Sequence, residues 1–529
     1  MRTIIKNSNK RKVVGNSNEL PKKQKEPYTA RNLEIDDKFS NALVPVKYII
    51  MKLTKVYALA GVDDFEEMFK LFFIKFFDEY CSRKDNLKIQ KYLNQKFNSE
   101  NRADYKKQKL SLKNLNDKNY RNLEFRNTEQ TQEELENKIH DLFDRAKKQW
   151  PGIFPNNSSI ELSAIHLEKC VSILQDVKLL NASLSVMDEI FECLVHKSAK
   201  SQKGQFFTPR HVIDMCVKML NPKPGENVLD PACGSGGFLV HSSLHTKEHF
   251  LSNAVIPDGK HQNLLNVYGI DYDERAVRVA RFNMYIMNGE SNVMRLNSLD
   301  YRNWRVSRSD PKWCELYENS FSSIVKFRTI ERRNKQFGFD IVVANPPFAG
   351  YENDSRIINE YKLGIKNGKT KKGVNKVILF VERCHDFLKP GGRMAIVLPR
   401  STLSNCSDKY VREYIDEHFR ILCVVNLDDS TFKPYTGTKT SVIFVQKWDT
   451  ILCPRIKEYL TLFEVSKKGG KNSSGDYIYK KCDNDGFAVD FNGQKIIDHD
   501  LHNHKGELND GIAEKFIKLA KEQKLSFWL

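Results

Sequence analysis

The fold of this chain is first indicated by the stretch Asn227-Val228-Leu229-Asp230-Pro231-Ala232-Cys233-Gly234-Ser235-Gly236-Gly237-Phe238. Its first four residues predict a short strand, and the apolar residues around Phe238 predict the start of a helix. The glycines between them permit a tight turn and let a ligand approach the backbone closely. The spacing lacks the third glycine of the G-x-G-x-x-G dinucleotide fingerprint. The stretch therefore predicts an α/β fold with a nucleotide-binding loop of another kind.

Asp271 ends the next predicted strand, residues 267–271. A carboxylate at the end of that strand can accept hydrogen bonds from both hydroxyl groups of a ribose. Cys233, which lies inside the glycine-rich loop, is predicted to pack under the turn as a small residue rather than to act as a nucleophile.

A further strand end carries Asn345-Pro346-Pro347-Phe348, directly after the apolar run 339–344. The prolines remove two N–H donors, so nearby carbonyl groups can accept hydrogen bonds from a ligand. The Asn345 side-chain oxygen and a carbonyl group beside the prolines could bind one amino group, and Phe348 could stack on a flat ring. That combination suits the exocyclic amine of a nucleobase. Taken alone, the motif is equally compatible with a turn that only ends a strand.

Predicted strands and helices alternate from about residue 205 to residue 447, which is typical of a largely parallel sheet with crossover helices. Helices are predicted at 273–287 and 374–388, and residues 303–338 are expected to form a basic insertion outside the alternation. The seven predicted strands are 227–230, 267–271, 293–296, 339–344, 393–398, 421–427 and 441–446.

With these motifs in view, the chain resembles the modification subunit of type I restriction–modification systems, a family of N6-adenine DNA methyltransferases. The resemblance covers about 240 residues, in the family's order, together with the helical region before them. It is carried by the glycine-rich stretch, Asp271, the Asn-Pro-Pro-Phe (NPPF) motif, Gly204-Gln205-Phe206-Phe207-Thr208-Pro209-Arg210, and Phe432-Lys433-Pro434-Tyr435-Thr436-Gly437-Thr438-Lys439-Thr440-Ser441.

The resemblance implies a Rossmann-like sheet of about seven strands, as found in S-adenosylmethionine-dependent methyltransferases, and S-adenosyl-L-methionine as cofactor. In this family the last strands form an antiparallel hairpin. The residues implied to bind the cofactor are Gly204, Gln205, Phe206, Phe207, Thr208, Pro209, Asp230, Gly234, Ser235, Gly236, Asp271 and Asn297. Asp230 is expected mainly to organise the glycine-rich loop. The family usually has an acidic residue where this chain has Asn297, so either Asn297 or Asp300 could meet the adenine of the cofactor.

The implied reaction is methyl transfer to the N6 amine of an adenine that has flipped out of duplex DNA, with no metal ion. Asn345 and the Pro346 carbonyl would accept hydrogen bonds from the amine, and Phe348 would stack on the base, which makes Asn345, Pro346, Pro347 and Phe348 the implied catalytic residues. The loop 432–441 is expected beside the base pocket, although it could be a simple hairpin turn. Gly364-Ile365-Lys366-Asn367-Gly368-Lys369-Thr370 is one residue short of a phosphate-binding P-loop and is expected to be a mobile basic loop.

Composition agrees with a nucleic-acid partner. Lysine and arginine number 85 against 67 acidic residues, a net charge of +18, which favours a polyanionic ligand. A generally lysine-rich composition would give the same charge without that function. The 11 cysteines form no zinc-like spacing, which is typical of a reduced, cytoplasmic protein. No apolar run is long enough to span a membrane.

Four regions are expected along the chain. They are a disordered basic tail (1–38), an all-helical N-terminal domain (39–200), the methyltransferase catalytic domain (201–450) and a C-terminal tail with a terminal helix near 511–523. Only about 80 residues follow the catalytic domain, too few for a typical recognition domain. The resemblance therefore implies double-stranded DNA as substrate and a separate specificity subunit, with a restriction subunit as a further possible partner.

Three alternatives remain open at this point. The chain could be a self-sufficient adenine methyltransferase, or a protein glutamine N5-methyltransferase, in which a related motif holds a planar amide. It could also be an inactive DNA-binding assembly subunit. Glutamine methyltransferases are much shorter and usually have Tyr where this chain has Phe348. Intact Asp230, Gly234, Asp271 and Asn345 favour an active enzyme.

Overall fold

A computed structural model describes most of the chain. The residues it describes are 46–98, 122–175, 179, 207–251, 265–328, 337–482, 486–489, 495–504 and 511–528. The predicted tail 1–38, the end of the predicted helical region (180–200), and Gly204, Gln205 and Phe206 lie outside these residues. The chain forms two compact units, which consist of Met1–Ala146 with Ser159–Met187 and of Lys147–Ser158 with Asp188–Leu529.

The regular elements of the described N-terminal region are helices, as the sequence predicts, joined by non-helical segments at 122–131 and 150–163. They are α1 (Val46–Ala60), α2 (Asp64–Asn98), α3 (Gln132–Gln149) and α4 (Ala164–Leu174). The phenylalanine stripe of α2 is core: Phe65, Phe69, Phe72, Phe73 and Phe76 are all buried. In α3, Leu135, Ile139, Leu142, Phe143 and Ala146 form the buried face, at the three- and four-residue spacing of an amphipathic helix.

An eight-stranded sheet organises the second unit. The strands along the chain are β1 (Asn227–Asp230), β2 (Asn266–Asp271), β3 (Val293–Arg295), β4 (Phe339–Ala344), the short β5 (Tyr351–Glu352), β6 (Ile365–Lys366), β7 (Lys369–Thr370) and β8 (Val374–Asn375), then β9 (Leu388–Pro399), β10 (Phe419–Asn426), β11 (Thr440–Lys447) and β12 (Leu462–Val465). The helices are α5 (Arg210–Leu220), α6 (Gly237–Leu251), α7 (Glu274–Asn288), α8 (Pro311–Val325), α9 (Ser355–Ile358), α10 (Lys376–Phe387), α11 (Arg400–Ser404), α12 (Lys409–His418) and α13 (Ile512–Glu522).

The order of the large sheet is β12-β10-β11-β9-β4-β1-β2-β3. Strand β1 lies parallel to β2 and to β4, and β4 lies parallel to β9. Strand β11 runs antiparallel between β9 and β10. All six residues of β4 are buried, as expected of a central strand covered on both faces. This is the methyltransferase version of the Rossmann sheet, which confirms the predicted fold class.

The expectation that 303–338 lies outside the strand–helix alternation is wrong for the described part. Helix α8 follows β3 and packs on it, with the Trp313 indole Nε1 donating to the Arg295 carbonyl at 2.8 Å. The side chains of Trp313, Tyr317 and Phe321, which belong to α8, are buried. These apolar side chains, spaced by four residues, are the signal of a crossover helix, which the surrounding basic residues concealed.

The C-terminal region, expected as a tail, is integrated with the sheet unit. Strand β12 adds an eighth strand parallel to β10. Helix α13, the terminal helix that the sequence predicts, forms an ion pair with α5 through Lys218 and Glu514. The Trp528 indole donates to the Met219 carbonyl at 3.1 Å. Contacts from the C-terminal region therefore stabilise α5, although this region follows the predicted catalytic domain (201–450) in the sequence.

The stretch that resembles a shortened P-loop is an ordered β-hairpin. Strands β6 and β7 pair antiparallel, and Asn367 and Gly368 both have positive φ, 51° and 72°. An Asn-Gly pair in this conformation is the preferred two-residue hairpin turn. No glycine-rich strand-to-helix turn exists there to hold a phosphate. Within the described residues, no helix is both long and apolar enough to cross a membrane.

Candidate active site

The glycine-rich loop leaves β1 at Asp230. This carboxyl is 1% exposed, and its Oδ1 accepts a hydrogen bond from the Ala232 backbone N–H at 3.0 Å. Burial raises the pKa of Asp230 well above its usual range. This hydrogen bond holds the turn that follows β1. The adjacent Cys233 is 6% exposed, and burial also raises its pKa well above that of a free thiol, so it packs rather than reacts.

Two glycines of this loop have different surroundings. Gly234 and Gly236 both have positive φ, 52° and 85°, a conformation that other residues adopt only with strain. A Cβ atom at Gly236 would lie 3.2 Å from the Ala280 Cβ on α7, whereas one at Gly234 would meet nothing within 4 Å. Gly236 thus allows the loop to pack closely on α7. Gly234 is the position that leaves open space for a ligand.

Asp271, at the end of β2, braces the same loop. Its Oδ2 accepts from the Gly234 N–H and its Oδ1 from the Asp273 N–H, both at 2.9 Å. Burial raises the pKa of Asp271 to about 6, although these backbone hydrogen bonds oppose the increase. The carboxylate therefore joins the ends of β1 and β2. Its oxygens have further lone pairs with which to accept from a ribose.

The loop after β3 lies next to the glycine-rich loop. Asn297 Oδ1 accepts from the Leu299 N–H at 3.1 Å, and Asp300 Oδ2 accepts from Asn303 Nδ2 at 2.8 Å. Each of these side chains thus stabilises the turn in which it lies. Ser298, which the sequence analysis did not identify, donates from Oγ to the Pro231 carbonyl at 2.6 Å and joins this loop to the glycine-rich loop.

The NPPF turn follows β4, the other neighbour of β1. Asn345 is half-buried, and its Nδ2 donates to Thr208 Oγ1 at 2.9 Å. Thr208 immediately precedes Pro209, the N-cap residue of α5. The structure thus brings together two motifs that lie 137 residues apart. Because this bond uses the amino end of the amide, the Asn345 oxygen is directed away from Thr208.

Phe348 is 8% exposed and contacts Phe432 edge to face, with ring centroids 5.7 Å apart. Phe432 begins the loop that was expected beside a base pocket, and that loop does lie against the NPPF turn. Phe348 and Thr438 also line a polar groove of about 510 Å³. Other side chains of this groove are Tyr351, Lys371, Asn375, Asn405 and Tyr410.

Eight of the predicted residues form two groups at the carboxyl ends of the neighbouring strands β2, β1 and β4. One contains Asp230, Gly234, Ser235, Gly236 and Asp271; the other contains Thr208, Asn345 and Phe348. The Ser235 carbonyl accepts from Asn283 Nδ2 on α7 at 3.1 Å, which fixes the loop to that helix. Among the described residues, no group of three or more His, Cys, Asp or Glu side chains is arranged to hold a metal ion.

The strand order and these two groups define the class of Rossmann-fold methyltransferases. The chain belongs to the N-6 DNA Methylase family, whose profile matches residues 182–495, more than half of its length.

The chain is also similar in sequence to named DNA methylase subunits. The chain is 27% identical over 246 residues to the type I restriction enzyme EcoEI methylase subunit of Escherichia coli, a match that covers 46% of this chain and 42% of the relative. It is 28% identical over 205 residues to the MjaIX methylase subunit of Methanocaldococcus jannaschii, covering 38% of this chain and 30% of the relative. The chain therefore matches less than half the length of these two relatives.

Among solved structures, the chain is similar to the methyltransferase subunit of a type I restriction–modification system from Streptococcus thermophilus. The match has a TM-score of 0.49 and 16% identity, and it covers 91% of this chain and 94% of that one.

Proposed function

We propose that this protein transfers a methyl group from S-adenosyl-L-methionine to the N6 amine of an adenine in double-stranded DNA. The observation that carries the proposal is the position of the NPPF turn beside the glycine-rich loop. Strands β1 and β4 are parallel neighbours, so their carboxyl ends lie at one edge of the sheet, where open α/β sheets bind ligands. A methyl donor on one loop and an acceptor amine on the other would therefore meet.

The chain's residues fit the proposed cofactor. The space beside Gly234 admits a ligand close to the loop backbone, and Asp271 offers carboxylate oxygens to a ribose. Asn297 and Asp300 remain the candidates for contact with the adenine of the cofactor. When bound, S-adenosylmethionine supplies the methyl group as a sulfonium electrophile.

The proposed acceptor site activates a weak nucleophile. The lone pair of the adenine N6 amine is delocalised into the ring, so the amine must become more tetrahedral as it attacks. Hydrogen bonds to the Asn345 oxygen and the Pro346 carbonyl would stabilise that change, because they strengthen as positive charge develops on the amine. Phe348 would stack on the flipped base and hold it in line with the methyl group.

We further propose that the chain works as the modification subunit of a type I system, together with a specificity subunit, and that a restriction subunit can join this complex. Support comes from the relatives named as type I methylase subunits and from the net charge of +18. That charge predicts weak, salt-sensitive binding to any duplex by the chain alone. A cytoplasmic location is part of this proposal.

The test is methylation of genomic DNA by the purified chain, with and without the product of any adjacent specificity gene, read by methylation-aware sequencing. We expect modified adenines at one recurring sequence only when both subunits are present. The Asn345→Ala chain in the same complex is the control. Site-specific methylation by the chain alone would contradict the two-subunit proposal but support the enzyme. Absence of adenine methylation under every condition would contradict the proposed reaction.

A further inference from the structure

Thr208 belongs to a motif that, by resemblance, contacts the cofactor, but the structure connects it to the other half of the site. Its hydroxyl oxygen accepts a hydrogen bond from Asn345 Nδ2 at 2.9 Å. Asn345 is the residue proposed above to accept from the adenine amine. The bond is therefore positioned to control the side chain on which the proposed reaction depends.

An asparagine amide has two ends of nearly equal size and opposite hydrogen-bonding character. If the amide rotates by half a turn, it presents N–H donors where it had presented an oxygen. Directed at the amine of adenine, those donors would oppose binding instead of assisting it. A hydroxyl group can both accept and donate, so the bond to Thr208 does not by itself select one end of the amide. In the observed geometry Thr208 Oγ1 accepts from the amino end, which restricts rotation of the Asn345 side chain and directs its oxygen away from Thr208.

The backbone around Thr208 is well supported, which a positioning role requires. The Pro209 carbonyl accepts from the Val212 and Ile213 N–H groups at 2.9 and 3.1 Å, at the start of α5. At the other end of α5, the Leu220 carbonyl accepts from the buried Arg393 Nε on β9 at 2.6 Å. The helix that begins after Thr208 is thereby fixed to the same sheet that carries Asn345.

We infer that Thr208 is a positioning residue for the amide of Asn345, and that its hydroxyl contributes to methyl transfer through that amide rather than through cofactor binding. The inference rests on the proposed function and adds to it a residue outside the NPPF motif.

The test compares Thr208→Val, which keeps the shape of the side chain and removes the hydroxyl, with Thr208→Ser, which keeps the hydroxyl. Both variants are assayed in the active complex at saturating cofactor and DNA. We expect Thr208→Val to lower kcat roughly tenfold, the effect of one lost hydrogen bond, with cofactor affinity by calorimetry within about twofold of wild type. Thr208→Ser should restore most of kcat. Thr450→Val, at an exposed position, is the matched control.

A double-mutant cycle shows whether Thr208 acts through Asn345. In the Asn345→Ala background, Thr208→Val should cause no further loss of kcat, because the amide it positions is absent. An additional tenfold loss there, or an unchanged kcat in Thr208→Val itself, would overturn the inference. A loss of cofactor affinity in Thr208→Val with kcat unchanged at saturation would also overturn it and return Thr208 to the cofactor site.

The wild type, Thr208→Val, Asn345→Ala and the double variant can also be compared by melting temperature, a measurement that does not depend on enzymatic activity. Non-additive shifts would support the Thr208–Asn345 bond, and additive shifts would overturn it. If the wild-type complex transfers no methyl group to DNA, the proposed function fails. The melting-temperature cycle still decides whether Thr208 holds the Asn345 amide.

Discussion

The glycine-rich loop after β1 and the NPPF turn after β4 end neighbouring parallel strands, yet they are held in different ways. The loop is held by backbone N–H groups bonded to nearby carboxylates, such as the Asp230–Ala232 contact, and by glycines with positive φ. The turn is held by side chains from distant parts of the chain, Thr208 and Phe432. The glycine pattern of the loop is therefore visible in the sequence, although Asp271 and Ser298 also hold it through tertiary contacts, whereas the contacts that hold the turn leave no local sequence pattern.

The largest effect is expected in the loop. Gly236→Asp should remove detectable cofactor binding, because a side chain at a φ of 85° would press against Ala280 and bring a negative charge into the glycine-rich loop. Isothermal calorimetry measures the change. Gly225→Asp is the matched control, since Gly225 has the same φ of 85° but nothing within 4 Å of its added Cβ. Undiminished binding by the Gly236 variant would show that the cofactor lies elsewhere.

In the turn, Asn345→Ala should lower kcat by roughly 100-fold or more, the usual cost of removing a preorganised group that stabilises charge in a transition state. Cofactor and DNA affinities should stay near wild type, because the glycine-rich loop does not depend on Asn345. Single-turnover methylation separates the two effects. Asn319→Ala, an exposed change on α8, should be silent. Near-normal turnover in the Asn345 variant would remove the role proposed for this residue.

Phe348→Ala should weaken capture of the flipped base roughly tenfold, which is the lower range for loss of one base–aromatic stacking contact. The Phe348 ring packs edge to face on Phe432. Phe348→Tyr and Phe348→Trp retain an aromatic ring that can stack on the base, so these variants should keep partial activity. The fluorescence of 2-aminopurine at the target position reports flipping. Equal fluorescence in the alanine variant and the wild type would place the base away from Phe348.

A smaller effect is expected from pH. Burial raises the pKa of Asp271 to about 6, and the ionised form is the one that can accept from both ribose hydroxyls. Cofactor affinity should therefore fall as pH decreases, by about twofold between pH 7 and 6 and about tenfold by pH 5. Asp271→Asn should bind weakly with little pH dependence from this position. A steep dependence that persists in the Asn variant would assign the titration to another group.

Asp271 should affect stability in the opposite direction. Its pKa in the folded chain lies above the ordinary value of 3.8, so the folded state binds more protons than the unfolded state between about pH 4 and 6. Through this group alone, the cofactor-free protein loses stability as pH rises through that window. Binding and stability should therefore respond to pH with opposite signs, and comparison of Asp271→Asn with wild type isolates both contributions.

The sheet could largely be predicted from the sequence because its strands are apolar runs bounded by turn residues. Strand β1 lies at the predicted 227–230, and β4 at the predicted 339–344. Strand β9 begins at Leu388, earlier than the predicted residue 393, because proline and glycine in Lys389-Pro390-Gly391-Gly392 are typical of turns rather than strands. Strand β12 was missed because its four residues have no distinguishing pattern. Only their pairing with β10 makes them a strand.

The same contrast applies to the site. The positive φ values of Gly234 and Gly236 follow from a glycine-rich turn between a strand and a helix, so the loop was recognisable from residue types. The Thr208–Asn345 bond was not, because it joins residues 137 positions apart and no periodic pattern encodes such a contact. Ser298 was missed for the same reason, since its partner is the Pro231 carbonyl of another loop.

Methyl transfer to adenine can be measured by incubating duplex DNA with the purified complex and isotopically labelled S-adenosylmethionine, then separating the nucleosides by mass spectrometry. We expect label in N6-methyldeoxyadenosine, and its loss in Asn345→Ala while cofactor binding is retained. Label in a methylated cytosine or on protein glutamine, or label in N6-methyldeoxyadenosine at an undiminished rate in Asn345→Ala, would contradict the proposed reaction.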